Sequence, residues 1–247
     1  MVELFSQKTD YCLAMVYYWQ AKTVAKTALR LPEPDGVRQL SFGYGTKRIT
    51  LGIFGDSAAA GVGVDTQDEA PLGQIGTLLA KQLGDVVVDV RLHATSGHTS
   101  FDLLHRLYAM SICSFDVVIV SIGVNDVIKQ TSNNAWANHI QAIITLFKRK
   151  FQVSDVIFLS LPPMHLAPSL PKPLNGLIGR RALALSAILA QLCHHHDHVH
   201  YVQDDFAHAN LNHQTMFAKD GFHPSATTYT VWAKTLSCYI SKLKINH

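Results

Sequence analysis

The sequence predicts an α/β fold with three layers, α/β/α, built on a five-stranded parallel sheet in flavodoxin-like strand order. Three observations carry that prediction. From Ile49 onward, short β-branched runs alternate with stretches of helical periodicity. The run at 116–122 (Asp-Val-Val-Ile-Val-Ser-Ile) is apolar at nearly every position, as in a strand covered on both faces. Parallel strands joined by right-handed crossovers leave few topologies, and the flavodoxin-like one gathers ligands at the carboxyl ends of its strands.

Taken in order, residues 10–30 read as a helix, because no Gly or Pro occurs from Tyr11 to Leu31. Tyr18, Lys22, Lys26 and Arg30 fall four apart and make a stripe that ends basic, beside an apolar patch of Cys12, Met15, Val16 and Trp19. Two readings stay open for it: an extra helix docked on the main domain, or a peripheral membrane contact. Residues 31–36 (Leu-Pro-Glu-Pro-Asp-Gly) break it and read as a linker. The expected division is 1–36 as helix and Pro-rich linker and 37–247 as the main domain.

The first strand of that domain begins at Ile49 and runs into Gly55-Asp56-Ser57, followed by the small residues Ala58-Ala59-Ala60-Gly61. Leu72, Ile75, Leu79 and Leu83 give 71–83 a helical period, and 86–92 is a β-branched strand. Residues 99–110 return to helix through Leu103, Leu104 and Leu107. Trp136, Ile140, Ile143, Ile144 and Phe147 mark the next helix, and 156–161 the fourth strand. Five prolines argue against regular structure in 161–177; a helix at 178–192, a strand at 199–202 and a helix at 225–243 complete the chain.

Composition bounds the function. With 48% hydrophobic and 16% charged residues the chain is globular, and its net charge of +3 comes from 21 basic and 18 acidic residues without any arginine-rich run. No nucleic-acid partner is expected. The scattered cysteines, Cys12, Cys113, Cys193 and Cys238, form no C-x-x-C pair and read as free, mostly buried thiols of a reducing compartment. Glu3 and Lys8 at the N-terminus argue against a signal peptide, so a cytoplasmic location is expected, on the inner face of the membrane if the first helix lies there. The run His194-His195-His196-Asp197-His198 with His200 matches no metal-site spacing and reads as a solvated helix end, so neither metal nor cofactor is expected.

Four short motifs fall where chemistry is expected. Ser57 follows the first strand, Gly97 (in Thr95-Ser96-Gly97-His98) the second, Asn125 (in Gly123-Val124-Asn125-Asp126) the third, and Asp220-Gly221-Phe222-His223 precedes the last helix. Each alone is ordinary turn or cap chemistry. Together they sit on one sheet edge. Serine needs a base within hydrogen-bond reach, His223 can be that base, and Asp220 can fix its tautomer.

Over roughly residues 49–240 these blocks, in this order, resemble the SGNH branch of the GDSL family of serine esterases and lipases, in a bacterial subgroup. The resemblance implies Ser57, His223 and Asp220 as catalytic residues and Ser57, Gly97 and Asn125 as the oxyanion hole. It also implies a small-molecule or lipid ester as substrate. Acyl transfer to a sugar or lipid hydroxyl is the alternative, and a non-catalytic binding module a third. The segment before the second block, Leu92-His93-Ala94, departs from the family's commoner Asn-containing pattern. Because 161–177 leaves the fourth strand at the same edge, it is expected to wall the acyl pocket, with Met164, Leu166 and Leu170 against substrate.

Overall fold

The computed structural model of the protein describes residues 8–203 and 213–243. Glu3, used above against a signal peptide, lies outside them. The chain enters through α1 (Lys8–Cys12) and α2 (Ala14–Thr27), followed by β1 (Gln39–Phe42), β2 (Lys47–Gly55), α3 (Ser57–Ala60), α4 (Pro71–Leu83), β3 (Val86–Ala94), α5 (Ser100–Ala109) and β4 (Val117–Ser121). Then come α6 (Val124–Ile128), α7 (Asn133–Arg149), β5 (Asp155–Leu159), a single 3₁₀ turn at Met164–Leu166, α8 (Leu174–His194), β6 (Val199–Val202), α9 (His213–Met216) and α10 (Ala226–Ile240).

The sheet is mixed and six-stranded, in the order β1-β3-β2-β4-β5-β6. Its five parallel strands keep the expected flavodoxin-like order. The sixth, β1, is added antiparallel on β3, from Gln39 opposite Arg91 to Phe42 opposite Val88. Four residues on an exposed edge carry too little hydrophobic pattern to announce a strand. Phe42 nevertheless fits closely against α4, where a Cβ at Gly76 would lie 2.3 Å from its ring.

Alternation along the strands feeds two cores. Ile49, Leu51, Ile53, Ile119 and Ile157 point to one face, covered by Leu72, Ile75 and Leu79 of α4 and by Tyr229, Leu236 and Ile240 of α10. Phe54, Val118, Val120 and Phe158 point to the other, covered by α5, α7 and α8 through Leu107, Trp136, Ile143, Leu185 and Leu189. This is the three-layer arrangement that the apolar strand runs demanded.

Several boundaries differ from expectation, each for a local reason. The N-terminal helix breaks at Leu13 and stops at Thr27, because the linker must run extended through Pro32 and Pro34. Asp35 pairs there with the loop before α4, its amide donating to the Asp65 carbonyl at 2.9 Å. Arg30 is therefore off the basic stripe. The helix expected at 178 begins at Leu174, since Pro171 and Pro173 lie before the first turn, where a missing N–H costs nothing. Of the cysteines only Cys193 is buried; Cys12 and Cys238 are exposed and Cys113 is half-buried. The first and last ride helix faces turned to solvent.

Although α8 is long and apolar enough to cross a membrane by length and composition alone, 44% of its apolar window is buried inside the protein. The histidine run begins at its end. His200 there uses both ring nitrogens, one on Asp155 at 2.8 Å and one on the Tyr239 hydroxyl at 3.0 Å. Among the described residues no group of three or more His, Cys, Asp or Glu converges as a metal site.

Candidate active site

Register brings the strand ends level. Gly55 of β2 lies opposite Ala94 of β3 and Ser121 of β4, so whatever follows each strand emerges on one edge. At Gly55 the chain turns with φ +146°, and a Cβ there would fall 1.8 Å from the Ser121 carbonyl oxygen. Only glycine permits that approach. The turn lets the Asp56 amide donate to the same carbonyl at 3.1 Å, while the Asp56 carboxylate caps α3 by accepting from the Ala58 amide at 3.1 Å. Ser57 thus opens a helix directly off the central strand. Its own amide donates to no acceptor among the described residues.

From the far end of the chain, His223 and Asp220 meet it. His223 Nε2 lies 2.9 Å from Ser57 Oγ, and His223 Nδ1 lies 2.5 Å from Asp220 Oδ2. A carboxylate can only accept, so Nδ1 carries the proton and donates, leaving Nε2 to accept the serine hydroxyl. The other Asp220 oxygen accepts the amides of Phe222 and His223, each at 3.0 Å. Burial alone would raise the Asp220 carboxyl, but the imidazole and the two amides outweigh it and hold it below its ordinary value. It stays ionised and keeps the ring in place.

Asp56 shows the opposite balance. Fully buried, it is pushed up to about 7, the Ala58 amide and the nearby His223 offsetting only part of the desolvation.

Gly97 lies in a turn closed by the His98 amide donating to the Thr95 carbonyl at 3.3 Å. No atom lies within 4 Å of where its Cβ would be, so the requirement for glycine is its φ of +83° and not room within the protein. Its amide, like that of Ser57, has no acceptor among the described residues. Three side chains pin this exposed turn. Asn125 Nδ2 donates to the His98 carbonyl at 2.9 Å, and Lys129 Nζ to the Gly97 carbonyl at 3.2 Å. Glu33 Oε1 accepts both the Ser96 amide at 2.9 Å and the Ser96 hydroxyl at 2.8 Å. Below it, buried Asp126 accepts the Ser100 amide and hydroxyl at 2.8 and 2.6 Å, binding the start of α5 to α6.

On the other side of Ser57 and His223 an apolar cleft opens, enclosing about 630 Å³, part of it open solvent. Leu161, Pro162, Pro163 and Met164 form one wall; Met216, Phe222 and Trp232 face it. Of the three substrate contacts expected in the Pro-rich segment, only Met164 lines the cleft. Leu166 ends the 3₁₀ turn beyond it, and Leu170 packs against the core on the α8 side, so neither is a lining residue. The 3₁₀ turn causes this by turning the chain away after Met164.

A family model for the GDSL-like lipase/acylhydrolase family matches residues 53–231. The chain belongs to that family. A GDSL-like esterase of Mycobacterium tuberculosis is 26% identical over 196 residues, which are 76% of this chain and 60% of the relative. The chain thus spans about three-fifths of that relative's length. Among solved structures, an alpha/beta hydrolase enzyme from the Lake Arreo metagenome superposes with a TM-score of 0.56 at 17% identity, over 83% of this chain and 99% of its own. An acetylxylan esterase from Geobacillus stearothermophilus gives 0.53 at 18% identity, over 83% and 98%. At such identities the two structures establish the fold.

Two features of this GDSL-family site escaped the sequence reading. Glu33 was read as linker, because nothing local ties it to Ser96, 63 positions away. Trp232 stands at an ordinary position of α10 and, at 4% exposure, is buried. It also lines the cleft, and its indole nitrogen has no hydrogen-bond partner among the described residues.

Proposed function

We propose that this GDSL-family protein is a serine esterase that hydrolyses carboxylic esters through an acyl-Ser57 intermediate. The observation that carries the reading is the unbroken chain from Ser57 Oγ through His223 to Asp220, at 2.9 and 2.5 Å. In this mechanism His223 Nε2 takes the hydroxyl proton as Ser57 Oγ attacks the ester carbonyl. Asp220 stabilises the imidazolium that forms. The carbonyl oxygen, now anionic, accepts from the Ser57 and Gly97 amides and from the Asn125 amide group, whose other N–H is held by His98. Collapse of the tetrahedral intermediate breaks the bond to the alkoxy group, which leaves with the proton from His223. Water then repeats the sequence on the acyl-enzyme, with His223 again as base, and releases the acid.

The cleft lined by Leu161, Met164, Phe222 and Trp232 suits the apolar part of an ester. Names among the relatives, a GDSL-like esterase and an acetylxylan esterase, support an ester as the substrate class. The test is Ser57→Ala against p-nitrophenyl acetate, together with covalent labelling by a fluorophosphonate. The expected results are loss of turnover and a label mapped to Ser57. Labelling at another serine, or retained activity in purified Ser57→Ala, overturns the assignment. Adding an alcohol acceptor separates hydrolysis from transfer by the ratio of acid to new ester.

A further inference from the structure

We infer that the outer face of α2 docks this protein on an anionic lipid surface. The helix has two opposed faces. Leu13, Tyr17, Gln20 and Val24, spaced four, three and four apart, lie on the inner one, where Tyr17 packs on Leu174 and Leu177 at the start of α8. Polar bonds lock that face down. Tyr17 Oη donates to Asp10 at 3.0 Å, Arg180 donates to Asp10 at 2.5 Å, and Gln20 donates to the Lys172 carbonyl at 2.8 Å while accepting the Leu174 amide at 3.2 Å. The helix is therefore part of the body, and its other face is committed outward.

That outer face carries Met15, Tyr18, Lys22 and Lys26, spaced three, four and four apart, with Trp19 beside them. Met15 is 68% exposed, Tyr18 58% and Trp19 57%. Such a concentration of large apolar groups in solvent on one helix face calls for a partner. Charge identifies its sign. Lys22 Nζ sits 6.0 Å from the Tyr18 ring centre and 5.6 Å from that of Trp19, so positive charge and aromatic surface are one patch. The acid in the two helices, Asp10, is 1% exposed and turned inward to Arg180. A second copy would set two such lysine stripes against each other with no carboxylate on either to pair them. An anionic bilayer supplies the opposite charge, and its interface accommodates Trp, Tyr and lysine stems together. The position also fits lipid chemistry: α2 is anchored at Lys172 and Leu174, the far end of the segment whose near end, 161–164, walls the cleft.

Binding is measured separately from hydrolysis, so its failure and that of the esterase reading are distinguishable. The full chain is sedimented with phosphatidylcholine vesicles with or without about one-third phosphatidylglycerol, at low and high salt. Trp136 and Trp232 are buried at 0% and 4%, so a blue shift of tryptophan emission on binding reports Trp19. The expected result is salt-sensitive binding to the anionic vesicles with a blue shift. Lys22→Glu with Lys26→Glu should weaken it by roughly tenfold or more. Met15→Ser with Trp19→Ser should abolish it while leaving p-nitrophenyl acetate turnover unchanged. No binding of the wild-type chain to anionic vesicles overturns the inference. So does equal binding by folded variants, or a dimer in light scattering that the same substitutions dissolve. If a variant misfolds by circular dichroism, the wild-type salt dependence and blue shift decide.

Discussion

Replacing Glu33 by alanine tests how the Gly97 turn is held. Ser96 and Gly97 are exposed, so burial does not fix them; hydrogen bonds do. Glu33 supplies two, from the Ser96 amide at 2.9 Å and its hydroxyl at 2.8 Å, while its other oxygen accepts from Arg38 at 2.7 Å. Arg38 in turn donates to the Ala94 carbonyl at the end of β3. Burial would raise the Glu33 carboxyl, yet the Ser96 and Arg38 bonds outweigh it and hold it below its ordinary value, so it is charged when it binds. A hydrogen bond to a charged group contributes about 1.5–3 kcal/mol, and with a side chain 30% exposed the low end applies. Two such bonds order the turn by roughly 3 kcal/mol. Losing an oxyanion donor outright costs about 10²–10³ in kcat. Asn125 and Lys129 still hold the turn from the other side, so Glu33→Ala should lower kcat by roughly 10–10² with KM nearly unchanged. Glu33→Gln keeps an acceptor for both Ser96 donors and should recover most of the rate. The assay is steady-state hydrolysis of p-nitrophenyl acetate at matched folded protein. If kcat is unchanged in the alanine variant, or glutamine is as damaging as alanine, the clamp does not position the Gly97 amide.

Asn125→Ala should lower kcat by about 10²–10³ and leave KM nearly unchanged, because its amide is asked to bind charge present only in the transition state; a raised KM with kcat spared refutes the role. Asp56 rises from 3.8 to about 7 on burial, so the folded chain keeps a proton that the unfolded chain has released. Stability should therefore fall as pH climbs from about 4 to about 7, by on the order of 4 kcal/mol from this group. Asp56→Asn, which preserves a capping oxygen, should flatten that part of the slope in urea melts; an identical slope counts against the buried acid. Met164→Ala should shift preference toward bulkier acyl groups in a p-nitrophenyl ester series while sparing acetate, and an unchanged chain-length profile would make Met164 structural.

How much of the fold was legible depended on burial. The five parallel strands and α4, α5, α7 and α10 were readable because two-sided cores impose a hydrophobic period, as in Val117–Ser121 or in Trp136, Ile140 and Phe147. β1 was not, because an edge strand in an exposed-intermediate pattern answers to its partner β3 more than to its own residues. Leu13, Tyr17, Leu174 and Leu177 likewise form a small core together, which neither segment announces alone.

The site divides along a similar line. Ser57, Gly97, Asn125, Asp220 and His223 stand out because their motifs follow one another in family order along the chain, and local backbone constraints mark part of them: Gly55 where a side chain would meet the Ser121 carbonyl, Gly97 at φ +83°, Asp220 accepting the amides two and three residues ahead. Such constraints are local and leave a mark in the sequence. The cleft and the clamp obey no local rule. Met164 lines the cleft while Leu166 does not, though the two are equally apolar, because one 3₁₀ turn decides which faces inward. Glu33 meets Ser96 only because the linker is pinned at Asp35 to the loop before α4. On the proposed reading, reaction type is written in short motifs, whereas the lining of the cleft and the hold on the Gly97 turn rest on contacts between distant segments. Variation at Met164, Trp232 and Glu33 should tune specificity and rate without touching the chemistry, and variation at Ser57, His223 or Asp220 should remove it.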